Sequence, residues 1–185
     1  TNFICIRRSK RDCITMWEKL FWWLAKRRGT ETLTNIYTDQ EYMHRVFLGR
    51  QVHKEGIAGA YGGGRVCLNL IEGSDLPVEH NHPWGYFTLI LSGGYYEVRG
   101  EERKWRRPGW FAIRSHDDFH RVEIPEGKFA ITFFVKSRHG KMGSYFMDEG
   151  KPVKDLKFWL RRGVPREKIG AMIKLKTPED IKNDR

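Results

Sequence analysis

The stretch "HNHPWGYFTLILSGGYYEV", residues 80 to 98, sets His80 and His82 one residue apart, ahead of an apolar run that ends in a Gly-Gly turn. Side chains alternate faces along a strand, so the two imidazoles point the same way, as a chelating pair on one wall of a barrel requires. The plainer alternative is two polar residues leading into a strand. A second stretch, "RPGWFAIRSHDDFHRVEI" at residues 107 to 124, opens a strand with a Pro108-Gly109 turn and closes it with a polar turn at Ser115 to Asp118. His120 then starts the next strand, with Val122 and Ile124 on its own face. A neighbouring strand can thereby deliver a third imidazole to the pair.

Strands must position these residues, and the chain offers them. Seven short runs, at 42–49, 65–73, 86–94, 95–100, 109–115, 120–124 and 129–136, are separated by Gly, Pro, Asn and Asp and predict an all-β sandwich or barrel. "GAYGGGR" at 59–65 has no following Lys-Ser/Thr and joins no strand to a helix, so it fails as a phosphate loop and is read as a connection between strands. Before the strands, "ITMWEKLFWWLAKRRG" at 14–29 spaces Ile14, Trp17, Leu20, Phe21 and Leu24 as one face of a basic amphipathic helix that Gly29 stops. Such a face suits a membrane surface, nucleic acid or the rest of the domain. After Val135, "SYFM" and "PVK" predict a hairpin, "DLKFWLRRG" a short helix, and "PREKIGAMIKL" and "PEDIKNDR" helical pieces. The organisation expected is a basic N-terminal segment over 1–29, a barrel over 30–147 and a C-terminal extension over 148–185 that packs on the barrel.

The net charge of +11 makes an anionic partner plausible, but it is unevenly placed. Residues 1–28 carry +6 and residues 136–185 carry +7, whereas residues 29–135 carry −2. A nucleic-acid contact is therefore expected of the basic ends and not of the histidine site. Cys5, Cys13 and Cys67 are too few and too irregular for a disulfide framework, which points to reduced thiols and a cytoplasmic setting. No secretory signal is visible, and "LFWWLA" is far shorter than the roughly 20 residues of a membrane span. No transmembrane span is expected.

The two histidine stretches resemble the paired sequence motifs of the cupin superfamily. Gly73, His80, His82 and Gly93 match the first motif, and Pro108, Gly109 and His120, eleven residues after that Gly, match the second. The likeness covers about residues 65 to 136, and its "HNHPW" form resembles small cupins of bacteria and their phages. It implies a double-stranded β-helix, or jelly roll, between the N-terminal helix and the helical extension. It also implies a metal held by His80, His82 and His120. Tyr86 stands where the family's usual Glu ligand would be, which makes the set similar to the three-histidine site of thiol dioxygenases. Three imidazoles suit Fe(II), Zn(II), Ni(II) or Cu(II), and three protein ligands leave positions open for a small-molecule substrate. The implied activity is that of an Fe(II) oxygenase acting on a small polar or thiol substrate, with Tyr86 near bound oxygen.

Around this set, Trp84 is expected to wall the site. Arg114 is read either as a clamp on a substrate carboxylate or as a partner of Asp117 or Asp118. His116 is read as an alternative ligand, a substrate-orienting residue or an exposed turn residue, and His44 and His53 as structural or exposed. Two further readings stay open at this point. One is a non-redox isomerase using Tyr86 with His116 as acid and base. The other is a non-catalytic scaffold whose basic ends, with Trp22, Trp23 and Trp105, bind nucleic acid or a protein. By analogy with other cupins a homodimer is expected.

Overall fold

A computed structural model describes residues 15–49, 66–140 and 143–184. The Gly-rich stretch at 59–65, His53, Cys5 and Cys13 lie outside the described residues. Helix α1 (Met16–Arg28) starts at a capping box: the Glu18 backbone N–H donates to Thr15 Oγ1 at 3.2 Å, and the Thr15 N–H donates to the Glu18 carboxylate at 3.1 Å. It ends at Gly29, whose φ of 76° is unfavourable for a residue with a Cβ, and such a Cβ would meet the Lys176 carbonyl oxygen at 2.5 Å. Phe21 and Ala25 are fully buried and pack on Val46, Leu68, Leu70 and Ile131, with Trp17, Trp22 and Leu24 at their flanks. Leu20, expected on the same stripe, is exposed. Of the surfaces open to this helix in the sequence, its apolar face covers the domain itself.

The remaining elements are β1 (Thr30–Thr34), β2 (Glu41–Phe47), β3 (Val66–Ile71), β4 (Trp84–Gly93), β5 (Tyr95–Arg99), β6 (Glu102–Arg106), β7 (Phe111–Arg114), β8 (Arg121–Glu123), β9 (Ala130–Gly140), β10 (Tyr145–Asp148) and β11 (Lys151–Lys154). After them come α2 (Asp155–Arg161), α3 (Arg166–Gly170), β12 (Ile173–Lys176) and α4 (Pro178–Asn183). One antiparallel sheet runs β12-β1-β2-β3-β9-β4-β7, and a second runs β6-β5-β8. The residues around His80 extend the second sheet beyond β8, because His80 and His120 exchange backbone hydrogen bonds of 2.9 and 3.0 Å.

Along the chain, β3, the His80 segment, β4, β5 with β6, β7, β8 and β9 therefore fall alternately in the first and second sheets. That alternation, with orders β3-β9-β4-β7 and His80 segment-β8-β5-β6, is a double-stranded β-helix, as the motif resemblance implied. The crossing from β4 to β5 is made at Gly93, where φ is 72° and an added Cβ would fall on the Phe129 carbonyl. Alternation along the sheet puts one set of side chains under α1 and the opposite set inside the barrel.

The C-terminal part is more than a cap. Ile173–Lys176 was expected to continue a helix from "PREKIG", but only Arg166–Gly170 is helical, and β12 pairs with β1 from Thr30↔Lys176 to Leu33↔Ile173. The Ile-x-Leu alternation at 173–175 suits a strand, and the open edge of β1 supplies the partner that sequence periodicity does not display. Helix α4 then packs Ile181 against α1. Helix α2 buries Phe158 and Trp159 against Ile36, Val164 and Phe146, closing one end of the barrel.

Candidate metal centre

Each histidine of the set arrives on a different piece of backbone geometry. The His80 segment lies between β8 and β10: besides its bonds to His120, the Asn81 N–H donates to the Tyr145 carbonyl at 3.0 Å and the Met147 N–H donates to the Glu79 carbonyl at 2.8 Å. Asn81, whose neighbours are the two histidines, fixes the segment further by donating its amide to the His116 carbonyl at 2.8 Å and accepting from the Tyr145 N–H at 2.7 Å. His82, Trp84, Tyr86 and Thr88 then line the barrel interior as alternate residues, even though the pairing of β4 with β9 is irregular between Trp84 and Tyr86. His120 enters at the start of β8, directly across from His80.

The result is convergence. One ring nitrogen from each of His80, His82 and His120 lies within 4.8 Å of the others. His82 Nε2 and His120 Nε2 are 3.1 Å apart. Two nitrogens each about 2.1 Å from one ion, at about 90–110° to each other, stand about 3.0–3.4 Å apart. The observed spacing therefore fits a shared divalent ion. Burial holds His82 and His120 well below the ordinary histidine pKa, reinforced for His82 by His80 and His120 and for His120 by His80, Arg114 and Arg99, which favours neutral rings that carry a lone pair. His80 Nδ1 is buried and has no hydrogen-bond partner among the described residues. The donor set fits a metal of the imidazole-binding class.

Tyr86 sets a phenol beside these rings. Burial pushes its phenol far above the usual range, so the hydroxyl stays protonated, and it lies 3.1 Å from His120 Nε2. A carboxylate sits one layer out. Glu97 on β5 is buried, and its Oε1 is 3.7 Å from His120 Nδ1. Sequence reading missed this residue, whose only signal was an acidic side chain on the inward face of "YYEVR".

Arg114, read as a substrate clamp or a partner of Asp117 or Asp118, instead donates to both carboxylate oxygens of Glu97, at 2.8 and 2.9 Å. It is not among the residues lining the cavity. Pairing Tyr86 with Arg114 across β4 and β7 explains this: the guanidinium runs back toward β5, where Glu97 needs a counter-charge. His116 also stays outside the convergent set, 3.0 Å from the Asp117 carboxylate in its turn. Of the acid–base pair considered for an isomerase, only Tyr86 faces the cavity. Trp84 lines the cavity, stacked on His82 with ring centres 6.4 Å apart. His44 is structural: it lies under α1, bonded to Thr32 Oγ1 at 3.1 Å and edge-on to Trp22.

The histidines line a cavity of ≈ 360 Å³ inside the barrel, within the range of small-molecule sites. Phe146, Trp159 and Met172 line it from the C-terminal side, and the His80 ring lies tilted against Phe146 with centres 5.7 Å apart. No protein-family model matches the chain, and no curated protein matches it. Among solved structures, it is similar to a polyketide cyclase from Streptomyces resistomycificus, at 11% identity and TM-score 0.44 over 70% of this chain and 83% of that one. A sugar phosphate isomerase of the cupin superfamily from Silicibacter pomeroyi aligns at 17% identity and TM-score 0.39, over 60% and 74% of the two chains. A protein with a cupin-like fold from Ralstonia eutropha aligns at 13% identity and TM-score 0.43, over 83% and 76%. The likeness is to cupin-like structures. The barrel itself is defined by this chain's own strand pairing, and its three-histidine group by this chain's own side chains. Among the described residues no helix is long and apolar enough to cross a membrane.

Proposed function

We propose that this chain is a mononuclear metal enzyme of the cupin type, an Fe(II) oxygenase acting on a small molecule held in the barrel. The convergence of His80, His82 and His120 on the wall of a cavity inside the barrel carries the reading. These three residues would hold the ion. Bound there, Fe(II) supplies the one-electron redox chemistry that reaction with dioxygen requires.

The chain's own residues supply the rest. The hydrogen-bonded His80 and His120 backbones fix two donors on adjacent strands, so the site needs little rearrangement to bind. Glu97 lies on the Nδ1 side of His120, where it favours a proton on that nitrogen and leaves Nε2 as the lone-pair donor. The protonated Tyr86 hydroxyl offers a hydrogen bond inside the cavity. Trp84, Phe146 and Trp159 keep the chamber apolar and limit water.

Binding of a polyanion by the basic ends finds less support. Among the described residues, Lys176 is paired with Glu41 and Asp184, and Arg162 with Asp148, so part of that charge is already balanced within the chain. Iron near one equivalent per chain, with oxygen uptake that depends on an added substrate, is the expected result. Stoichiometric zinc with no oxygen uptake across a broad panel of thiols and hydroxylated small molecules would refute the oxygenase reading.

A further inference from the structure

The cavity has a second polar end, away from the sequence motifs. Glu31, Arg45, Asn69 and Thr132 are successive cross-strand partners on β1, β2, β3 and β9, forming one row across the inner face of the sheet. Arg45 donates to Glu31 Oε1 at 2.6 Å and to Asn69 Oδ1 at 2.9 Å, and Asn69 donates to Thr132 Oγ1 at 3.1 Å. All four line the same cavity as the histidines. The row is fixed at every contact but one. Glu31 is 1% exposed, yet its Oε2 has no hydrogen-bond partner among the described residues, and the same holds for Thr34 Oγ1 on the same strand.

A buried carboxylate oxygen is an acceptor that demands a donor. Arg45 already balances the charge of Glu31, so this end offers no net attraction to an ammonium group. A ligand carboxylate has no proton to donate to the unpartnered oxygen of Glu31. A neutral O–H group meets both conditions. The walls beside the row come from Leu33, Met43, Ile71 and Phe134, with Trp84 and Tyr95 further round, and they suit an apolar ring. At ≈ 360 Å³ the chamber is small for such sites.

We propose that Glu31 Oε2 is the recognition point for the hydroxyl of a neutral, largely apolar ligand about one aromatic ring in size. The proposal deepens the metal-enzyme reading by naming the kind of molecule the cavity takes, but its test does not require the metal. The full chain as purified, and again after dialysis against a chelator, is titrated calorimetrically with 4-propylphenol, 4-propylanisole and 4-propylbenzoate. The phenol binds about tenfold or more tightly than either analogue in both preparations, as a hydrogen bond to a charged acceptor predicts. Glu31→Gln abolishes that preference.

Equal binding of the three probes, no binding of any, tighter binding of the benzoate, or an unchanged preference in Glu31→Gln each overturns the proposal. A preference seen only before chelation also overturns it, since the phenol would then be reading the metal. If Glu31→Gln does not fold, the ranking of the three probes by the wild-type chain decides alone. Failure of the metal reading shows separately, in the metal content.

Discussion

Glu97 stands behind His120, its Oε1 3.7 Å from the ring Nδ1, while Arg106 and Arg114 grip the same carboxylate from the other side. At 3.7 Å that contact is electrostatic and not a hydrogen bond, and under the metal reading proposed above Glu97 would act on His120 from behind and not on the ion itself. Glu97→Gln keeps the shape and removes the charge. Metal affinity is expected to fall about 10–100-fold, the usual cost of losing a carboxylate behind a ligating histidine. Competition against a chromophoric chelator measures it, and an unchanged affinity would show that Glu97 serves only its arginines.

The three-histidine assignment makes a sharper demand. His82→Ala and His120→Ala are each expected to lower bound metal from about one ion per chain to under about a tenth, because two imidazoles seldom retain an ion that three hold. His116→Ala is expected to keep its metal, since that side chain lies outside the convergent group. Metal analysis of the purified variants checks this. Retention by His120→Ala with loss from His116→Ala would move the third ligand into the turn.

These residues were legible because local rules place them. Alternation put His80 and His82 on one face, and the Pro-Gly turn and the spacing to His120 brought the third ring across from His80. The β4 to β5 crossing was announced by its Gly-Gly pair. What stayed hidden depends on long-range pairing. "TETLT" and "ERKWR" lie outside the seven expected runs and became β1 and β6, and "IKLK" found an edge strand at the other end of the chain. Glu31 and Arg45 each look like surface charges in sequence; only their registration across β1 and β2 lets them neutralise each other inside the barrel. Arg114 was visible as functional chemistry, but its true partner is Glu97 on β5, 17 residues away.

Tyr86 separates metal binding from what the metal then meets. Tyr86→Phe removes the hydroxyl 3.1 Å from His120 Nε2 but keeps the ring stacked on Phe134, 4.9 Å away. In the metal-free chain, where Nε2 can accept from that hydroxyl, the expected cost in stability is about 1 kcal/mol, that of one buried hydrogen bond. Bound metal is expected to stay near one per chain, while the visible spectrum of a Co(II)-substituted sample shifts because a donor beside the site has gone. Loss of the metal in Tyr86→Phe would instead make the phenol a ligand.

The C-terminal part of the chain is expected to govern how long the site keeps its ion. Trp159, 1% exposed, packs edge-on to Phe146 at 5.4 Å, and Phe146 in turn faces His80 at 5.7 Å. Trp159→Ala opens a large void in the cluster that closes the cavity. A loss of about 3–5 kcal/mol follows from such a truncation. For a chain of this size that corresponds to a melting temperature lower by roughly 10 °C. With the wall loosened, His80 loses its backing and water gains access, so metal transfer to excess chelator is expected to speed up several-fold. Trp159→Phe restores most of the contact and serves as the control. If Trp159→Ala melts lower yet releases metal at the wild-type rate, α2 stabilises the barrel without guarding the site.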